Sequence, residues 1–427
     1  MQRLVNKYLD KLESQGLAKK DDAIFLALDA DLFSNKPLSG DVLVLKQVCE
    51  LMNIGSLLFA EPTEPYRRII REITAYDRNC RDLKKIVPMD CETRTFFHDI
   101  PVVDEFSPHA IADALSHRKS AIIKGRGIIA YGVVSPEQAF VSFSSICFSC
   151  FVKYFYDSLV HFDSCVQTDI PVKEEYLKAF VAIVEMVRSA PSPKFRRALR
   201  AKAPVTADEV IAMLSEAGKA VVESHLVDSY FGNICYVYEG HIFISQTGSS
   251  LDELDDCIDI VPLDGSSSVG ITASSELSAH KNIYFGTGCN AILHGHPTFS
   301  VIMSMYCKKE GCDRSLCHKA CREKRNILQT PIVSGEIGTG PTGLMNTVPL
   351  AMKHSGGAIV YGHGVFTAGY GTFQVPFDML TEIEIKCRKE YFRTVAVLLQ
   401  HLFKGDPDCL AERAQMISAL KRDNDRH

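Results

Sequence analysis

Two pairs of segments recur along this 427-residue chain in the same order and at nearly one spacing, which constrains the fold more than any other feature. Asn53-Ile-Gly-Ser-Leu-Leu-Phe-Ala-Glu-Pro-Thr63 matches Asn290-Ala-Ile-Leu-His-Gly-His-Pro-Thr298, each an apolar strand that stops at Pro-Thr and enters a helix. Ser120-Ala-Ile-Ile-Lys-Gly-Arg-Gly-Ile-Ile-Ala130 matches Gly357-Ala-Ile-Val-Tyr-Gly-His-Gly-Val-Phe-Thr367. Pro62 and Pro297 stand 235 positions apart, and Arg126 and His363 stand 237 apart. A long aromatic-bearing helix follows each second segment, Phe148 to Tyr156 in one and Phe377 to Tyr391 in the other. Self-similarity of this kind predicts one fold used twice. The copies differ where chemistry would sit: His294, His296 and His363 face Phe59, Glu61 and Arg126. Any reaction resting on the three histidines occurs once per chain.

Composition agrees with two soluble domains. A hydrophobic share of 46% can bury a sizeable core, and 23% charged residues suit a solvated surface. The net charge of −5 lacks the basic excess of a nucleic-acid binder, so no nucleic-acid partner is expected. No apolar run approaches the eighteen residues of a membrane span, so no membrane partner is expected either. The opening MQRLVNKYLDKLESQGLAKKDD is an amphipathic helix without the apolar centre of a signal peptide. Fifteen cysteines without a secretion signal read as reduced thiols, some of them candidate metal ligands, in the cytoplasm.

Elements follow from periodicity. Residues 1–20 are dominated by the first helix. Residues 21–190 form an α/β region ending in a helix over 173–189, with Phe180, Ile183, Val184 and Val187 on one side. Ser189-Ala-Pro-Ser-Pro193 breaks that pattern, and the basic run Lys194 to Lys202 reads as a solvated linker helix. Thr206 and Glu209 have capping-box spacing and open the second domain, 205–427. Within it, strands are expected at 233–238, 241–245, 291–293 and 357–361, with helices at 274–286, 298–307, 344–354 and 374–403.

His294 and His296 fall on one face of a strand end, because side chains alternate with period two. With His363 from a later strand end they make a three-nitrogen set with an open position, suited to catalytic zinc and accessible to Fe2+, Mn2+ or Co2+. An HxH pair by itself is more often an ordinary strand-end pair than a metal site. Around it stand Gly232-Asn233, Thr247-Gly248, Ser274-Ser275-Glu276 and Gly362-His363-Gly364. In this order the motifs resemble the class II aldolase/adducin family over roughly residues 205–405, which includes L-fuculose-1-phosphate aldolase and L-ribulose-5-phosphate 4-epimerase.

The resemblance implies an α/β fold, three-layered α/β/α around a central mostly antiparallel sheet and here partially duplicated. It makes His294, His296 and His363 the zinc ligands, Glu276 the catalytic acid/base, and Asn233, Thr247, Gly248, Ser274 and Ser275 the holders of a substrate phosphate. Helix N-termini, small hydroxyls and backbone N–H groups suit a phosphate dianion, although Ser274 and Ser275 also stand where plain N-caps would. The implied activity is a lyase that cleaves or forms a C–C bond in a sugar phosphate through a metal-stabilised enediolate, with no Schiff-base lysine. Epimerases and dehydratases of related phosphates share the family, and adducin-like proteins keep the fold as binding modules without zinc chemistry. A second acid/base tyrosine is implied, with Tyr306, Tyr370 and Tyr391 as candidates, and so is a homo-oligomer. In the first copy Asp41 stands in the place of Glu276, and too few residues precede it to hold the Gly-Asn and Thr-Gly strands. That copy therefore reads as truncated and degenerate.

Two features depart from the family. Cys307, Cys312, Cys317 and Cys321, with His318 among them, fill an insertion whose spacing matches no standard zinc or iron–sulfur run. They read either as a second metal or thiol cluster or as reduced thiols packing an insertion. Ser334-Gly-Glu-Ile-Gly-Thr-Gly-Pro-Thr-Gly343 lacks the Lys-Ser/Thr ending of a phosphate loop. It enters a helix and can line a pocket, with Glu336 as an added polar contact.

Overall fold

The apolar runs that recur in the sequence are strands at equivalent places in two separate sheets. In the computed structural model the chain divides into Met1–Tyr154 with Glu174–Ala190, and Phe155–Lys173 with Pro191–His427. The structure describes residues 1–76, 83–189, 198–227, 230–267, 269–309, 311–321, 323–335 and 340–403.

The first unit contains α1 (Gln2–Ser14), β1 (Ile24–Leu28), β2 (Leu32–Ser34), α2 (Asp41–Leu51), β3 (Ser56–Ala60), α3 (Tyr66–Tyr76), β4 (Lys85–Ile86) and α4 (Cys91–Phe97). It continues through β5 (Ile100–Val103), α5 (Pro108–His117), β6 (Ser120–Ile123), β7 (Gly127–Gly132), the start of α6 (Pro136–Thr168) and α7 (Glu174–Ser189). Its sheet runs β2-β1-β3-β7-β6-β5-β4, and only β5 and β6 pair in parallel. Helices α2 and α5 bury Leu45, Val48, Ile111 and Leu115 against Leu57, Ala121 and Ile129 of the sheet.

The second unit contains α8 (Ala207–Glu223), β8 (Asn233–Tyr238), β9 (His241–Ser245), β10 (Ile258–Pro262), α9 (Leu277–Thr287), β11 (Ala291–Gly295) and α10 (Thr298–Met305). Then come β12 (Arg325–Ile327), β13 (Thr330–Val333), α11 (Leu344–Met352), β14 (Gly357–Val360), β15 (Gly364–Gly369) and α12 (Gln374–Leu402). Its sheet runs β10-β9-β8-β11-β15-β14-β13-β12, and again one pair, β13 and β14, is parallel. Helices α9 and α11 cover one face through Ala279, Ile283, Val348 and Met352. Helices α8, α10 and α12 pack on the strands as well, completing the α/β/α layering. With helices on both faces, β11 and β15 are buried along their whole length and read as apolar runs rather than alternating ones.

The two sheets share seven strand positions in the same order, with the parallel pair at the same step. The expectation that the first copy has no room for the first two strands is therefore wrong. Strands β1 and β2 stand where β8 and β9 stand in the second unit, and only β10 has no counterpart. They fit because they are five and three residues long and turn directly into each other.

Other expectations meet the structure element by element. Phe180, Ile183, Val184 and Val187 are the buried side of α7. Thr206 caps α8 by accepting from Glu209 N, and Glu209 accepts in return from Val205 N at 2.8 Å. Of the basic run, 194–197 lie outside the described residues, and 198–202 form no helix: Leu199 is buried there and its N–H donates to Gln374 Oε1 at 2.8 Å. Helix α6 is 33 residues long and its most apolar window has mean hydropathy 1.3, so by length and composition it meets the test for a membrane span that the sequence reading excluded. In the structure 83% of its most apolar window is buried, which core packing explains.

One buried carboxylate fixes the helix that follows the HGHP turn. Glu384 on α12 accepts from Phe299 N at 2.9 Å, Ser300 N at 2.8 Å and Ser300 Oγ at 2.7 Å, so it closes the N-terminus of α10. Burial raises its pKa against the pull of those donors. Glu384→Ala leaves two buried N–H groups without an acceptor. It is expected to cost roughly 3 kcal/mol, read as a lower urea midpoint of the full chain.

Candidate metal centre

Strand β11 carries His294 between β8 and β15, where it pairs with Asn233 on one side and Phe366 on the other. His296 follows the strand end, its N–H bonded to Leu226 O at 2.9 Å. His363 sits in the turn between β14 and β15, where Gly362 adopts φ +61° and donates its N–H to Ser304 Oγ at 2.8 Å. The three rings form a near-equilateral triangle with centroid distances of 4.6, 5.0 and 5.2 Å. All three are buried, and one ligand nitrogen from each lies within 4.8 Å of the others.

Glu276, the residue just before α9, reaches into this triangle. Its Oε2 is 3.6 Å from His294 Nε2 and its Oε1 is 3.4 Å from His363 Nε2. Asn233 Nδ2 donates to Oε2 at 2.7 Å. Burial raises the Glu276 pKa, but His294, His363 and the Asn233 amide together outweigh it and hold the carboxylate ionised. Burial keeps two of the imidazoles neutral, with His294 pulled down to about 3 against the influence of Glu276, and His296 pulled well below its ordinary value.

Neutral imidazoles around a carboxylate suit a divalent cation. His294 Nδ1 lies 3.2 Å from Val365 O, an acceptor only, so Nδ1 carries the proton and Nε2 presents a lone pair. His296 Nε2 is 2.8 Å from that lone pair, while His296 Nδ1 is buried without a hydrogen-bond partner. A cation among the three Nε2 atoms takes up the lone pairs that His294 and His296 otherwise turn toward each other at 2.8 Å. The residues therefore fit the implied metal.

The phosphate-binding candidates come together beside this centre. Ile234 N donates to Ser245 Oγ at 3.2 Å, Ser274 N to Ser245 O at 3.0 Å and Thr247 N to Thr272 O at 2.9 Å, which draws 233–234, 245–248 and 272–275 side by side. Gly248 has φ +71° and nothing within 4 Å of a built Cβ. Ser275 is exposed at the start of α9. Ser274 Oγ accepts from Glu276 N at 3.3 Å and Thr247 Oγ1 donates to Ala273 O at 2.9 Å, so both hydroxyls also have structural duties.

Sequence reasoning missed His280. Fully buried on α9, it pairs through Nε2 with Asn233 Oδ1 and through Nδ1 with Cys235 Sγ at 3.0 Å, and burial lowers its pKa to about 4. It fixes which end of the Asn233 amide faces Glu276. Its spacing of four from Glu276, one helical face, was the available signal. Among the tyrosine candidates, Tyr391 is excluded: it is fully buried, donates to Phe155 O at 2.7 Å and packs against Phe299 and Phe392. Tyr370 is exposed and donates to Thr287 O at 2.9 Å, and Tyr306 is half-buried. Glu336 lies outside the described residues.

Of the equivalent positions in the first unit, Phe59 stands for His294 and the others are occupied by ion pairs. Arg126 Nη2 bonds Asp41 Oδ2 at 2.5 Å, linking the counterparts of His363 and Glu276. Its guanidinium lies 3.9 Å from the Phe106 ring centroid. Glu61, the counterpart of His296, pairs with Arg71 at 2.7 Å and Arg67 at 3.7 Å. These groups are about 40% exposed or more on at least one side, and each such pair contributes under about 1 kcal/mol. Among the described residues, the three histidines of the second unit are the one group of three or more metal-ligating side chains whose ligand atoms all lie within 4.8 Å of one another.

Residues 212–391 match the family model described as Class II Aldolase and Adducin N-terminal domain. This segment of the chain is similar to the class II aldolase and adducin family. The class II aldolase match spans α8 to the middle of α12, so it contains the whole histidine triad and Glu276. Comparison with curated proteins gave no match. Among solved structures, the chain is similar to L-fuculose-1-phosphate aldolase from Thermus thermophilus, with 19% identity over 47% of this chain and 99% of that one, TM-score 0.34. It is also similar to YgbL from Escherichia coli, a putative aldolase/epimerase/decarboxylase, with 19% identity over 50% and 98%, TM-score 0.32. L-fuculose 1-phosphate aldolase from Glaciozyma antarctica shows 13% identity over 52% and 94%, TM-score 0.34.

Proposed function

We propose that this class II aldolase relative is a zinc-dependent lyase that cleaves or forms a C–C bond in a phosphorylated sugar. Residues 205–427 carry its single site, and residues 21–190 are a non-catalytic copy. The observation that carries the reading is the convergence of three buried imidazoles on one ionised carboxylate. A divalent cation held by His294, His296 and His363 supplies Lewis-acid polarisation of neighbouring substrate oxygens. Glu276 moves the proton on or off the carbon that gains the electron pair when the C–C bond breaks. Asn233 and His280 hold Glu276 in place for that transfer. The backbone around Thr247 and Gly248, with Ser274, Ser275 and the first turn of α9, receives the phosphate. The working form in this reading is a cytoplasmic homo-oligomer.

Bound-metal analysis followed by a retro-aldol assay over a panel of ketose 1-phosphates tests this. Metal-dependent release of an aldehyde from one member supports it. Metal bound at the triad with no cleavage of any member sinks the lyase reading, and epimerisation or loss of water in the same mixtures moves the assignment to those reactions.

A further inference from the structure

The loop between α10 and β12 has no apolar core of its own. Between Cys307 and Cys321 its regular structure is one turn, Arg314–Leu316, and among the described residues only Cys317 is buried. Leu316 is exposed. A segment of this kind needs a covalent or metal staple to hold one shape. Its feet are tied: Arg325 Nη2 donates to Tyr306 O at 2.9 Å, Lys309 pairs with Glu323, and Cys321 N donates to Ser334 Oγ at 2.7 Å. Cys307 and Cys321 stand at those feet, and Cys312 and Cys317 flank the turn between them. One closed loop thus presents four thiols.

Charges of both signs stand around them, Glu323 and Asp313 along with Lys309 and Arg325. Lys309 feels Cys312 and Cys321, and Arg325 feels Cys317. Arg325 Nη1 is buried without a hydrogen-bond partner. A thiolate sulfur is the acceptor such a group lacks, and the arginine offsets part of the dianion that four thiolates make around a divalent ion. Burial first, then Cys321 and Cys312, raises the Cys317 thiol against Arg325, with Cys307 adding to the rise. The four sulfurs therefore share one electrostatic neighbourhood.

We propose that Cys307, Cys312, Cys317 and Cys321 bind a second, structural zinc ion. Zinc–sulfur bonds of about 2.3 Å draw the sulfurs closer than the structure holds them, since no three of these thiols lie within 4.8 Å of one another. Binding releases four protons from four thiols and folds the loop around the ion. Its effect reaches the candidate site through backbone: His318 O accepts from Gly335 N at 3.1 Å, and Val333 O accepts from Tyr361 N at 2.9 Å, two residues before His363.

The test is independent of the proposed reaction. Zinc content is measured on the full chain purified under reducing conditions, on Cys312→Ser/Cys317→Ser and on His294→Ala/His296→Ala. About two equivalents are expected in the wild type and about one in each variant. Co2+-loaded wild type and histidine variant should show a sulfur-to-cobalt charge-transfer band in the near ultraviolet. Should the cysteine variant fail to fold, the wild-type band alone decides. Unchanged zinc in a folded cysteine variant, or no band in Co2+-loaded wild type, overturns the proposal. One equivalent lost only with the cysteines upholds it and removes the histidine centre instead.

Discussion

His296→Ala is expected to lose the metal held by the triad and to lower lyase turnover by roughly 10³-fold or more. A bound cation supplies several kcal/mol of transition-state stabilisation, and each 1.4 kcal/mol is about tenfold. The fold should survive, because the site is polar and alanine at 296 keeps the backbone bond to Leu226 O. Glu276→Gln separates the two roles. The amide has the shape of the carboxylate and can still accept from Asn233, so the metal should stay while turnover falls about 10²–10⁴-fold through lost proton transfer. Metal content and turnover are measured together on both variants. Equal metal in His296→Ala and wild type would sink the ligand assignment, and full activity in Glu276→Gln would sink the acid/base one.

This division of labour was legible because motif and repeat agree. Period two put His294 and His296 together, and the offset to Arg126 isolated His363 as the third group. Ser274-Ser275-Glu276 supplied the carboxylate only through family resemblance, since an acid in the first turn of a helix is ordinary. What stayed hidden depends on contacts far apart in sequence. Strands β1 and β2 were missed because Ile24–Leu28 and Leu32–Ser34 carry none of the motif residues of β8 and β9. Their places are set by the pairing of β1 with β3 and of β2 with β1, which local pattern does not encode. His280 was missed for the same reason. It is an unremarkable helical histidine until β8 brings Asn233 and Cys235 against it. Glu384 lies 85 positions from the Phe299 amide it closes, beyond any capping signal. Apolarity misled once, in α6, where length and composition do not distinguish a core helix from a spanning one.

The glycines flanking His363 explain why the repeat stayed visible after its chemistry diverged. A Cβ on Gly364 would stand 2.5 Å from Gly295 O, 2.9 Å from His294 Cε1 and 3.0 Å from His296 Cδ2. A Cβ on Gly127, its counterpart, would press on Ala60 O, the carbonyl that answers to Gly295 O. In both copies the turn must bring its strand against the end of a neighbour, so glycine is required by backbone approach and not by catalysis. The residue between the glycines bears no such constraint and is arginine in one copy and histidine in the other. Alanine at either glycine is therefore expected to cost roughly 3 kcal/mol of stability by overpacking against backbone that cannot yield without opening the sheet. Only Gly364→Ala should also loosen metal binding, because two of the atoms it meets belong to ligand rings. Urea midpoints and bound metal measured on both variants check this. A Gly364→Ala chain with wild-type midpoint and wild-type metal would show that the close approach of β15 to β11 does not hold the triad. Loss of metal in Gly127→Ala would place part of the binding in the first unit, against the ion pairs of Asp41 with Arg126 and Glu61 with Arg71 that fill its equivalent positions.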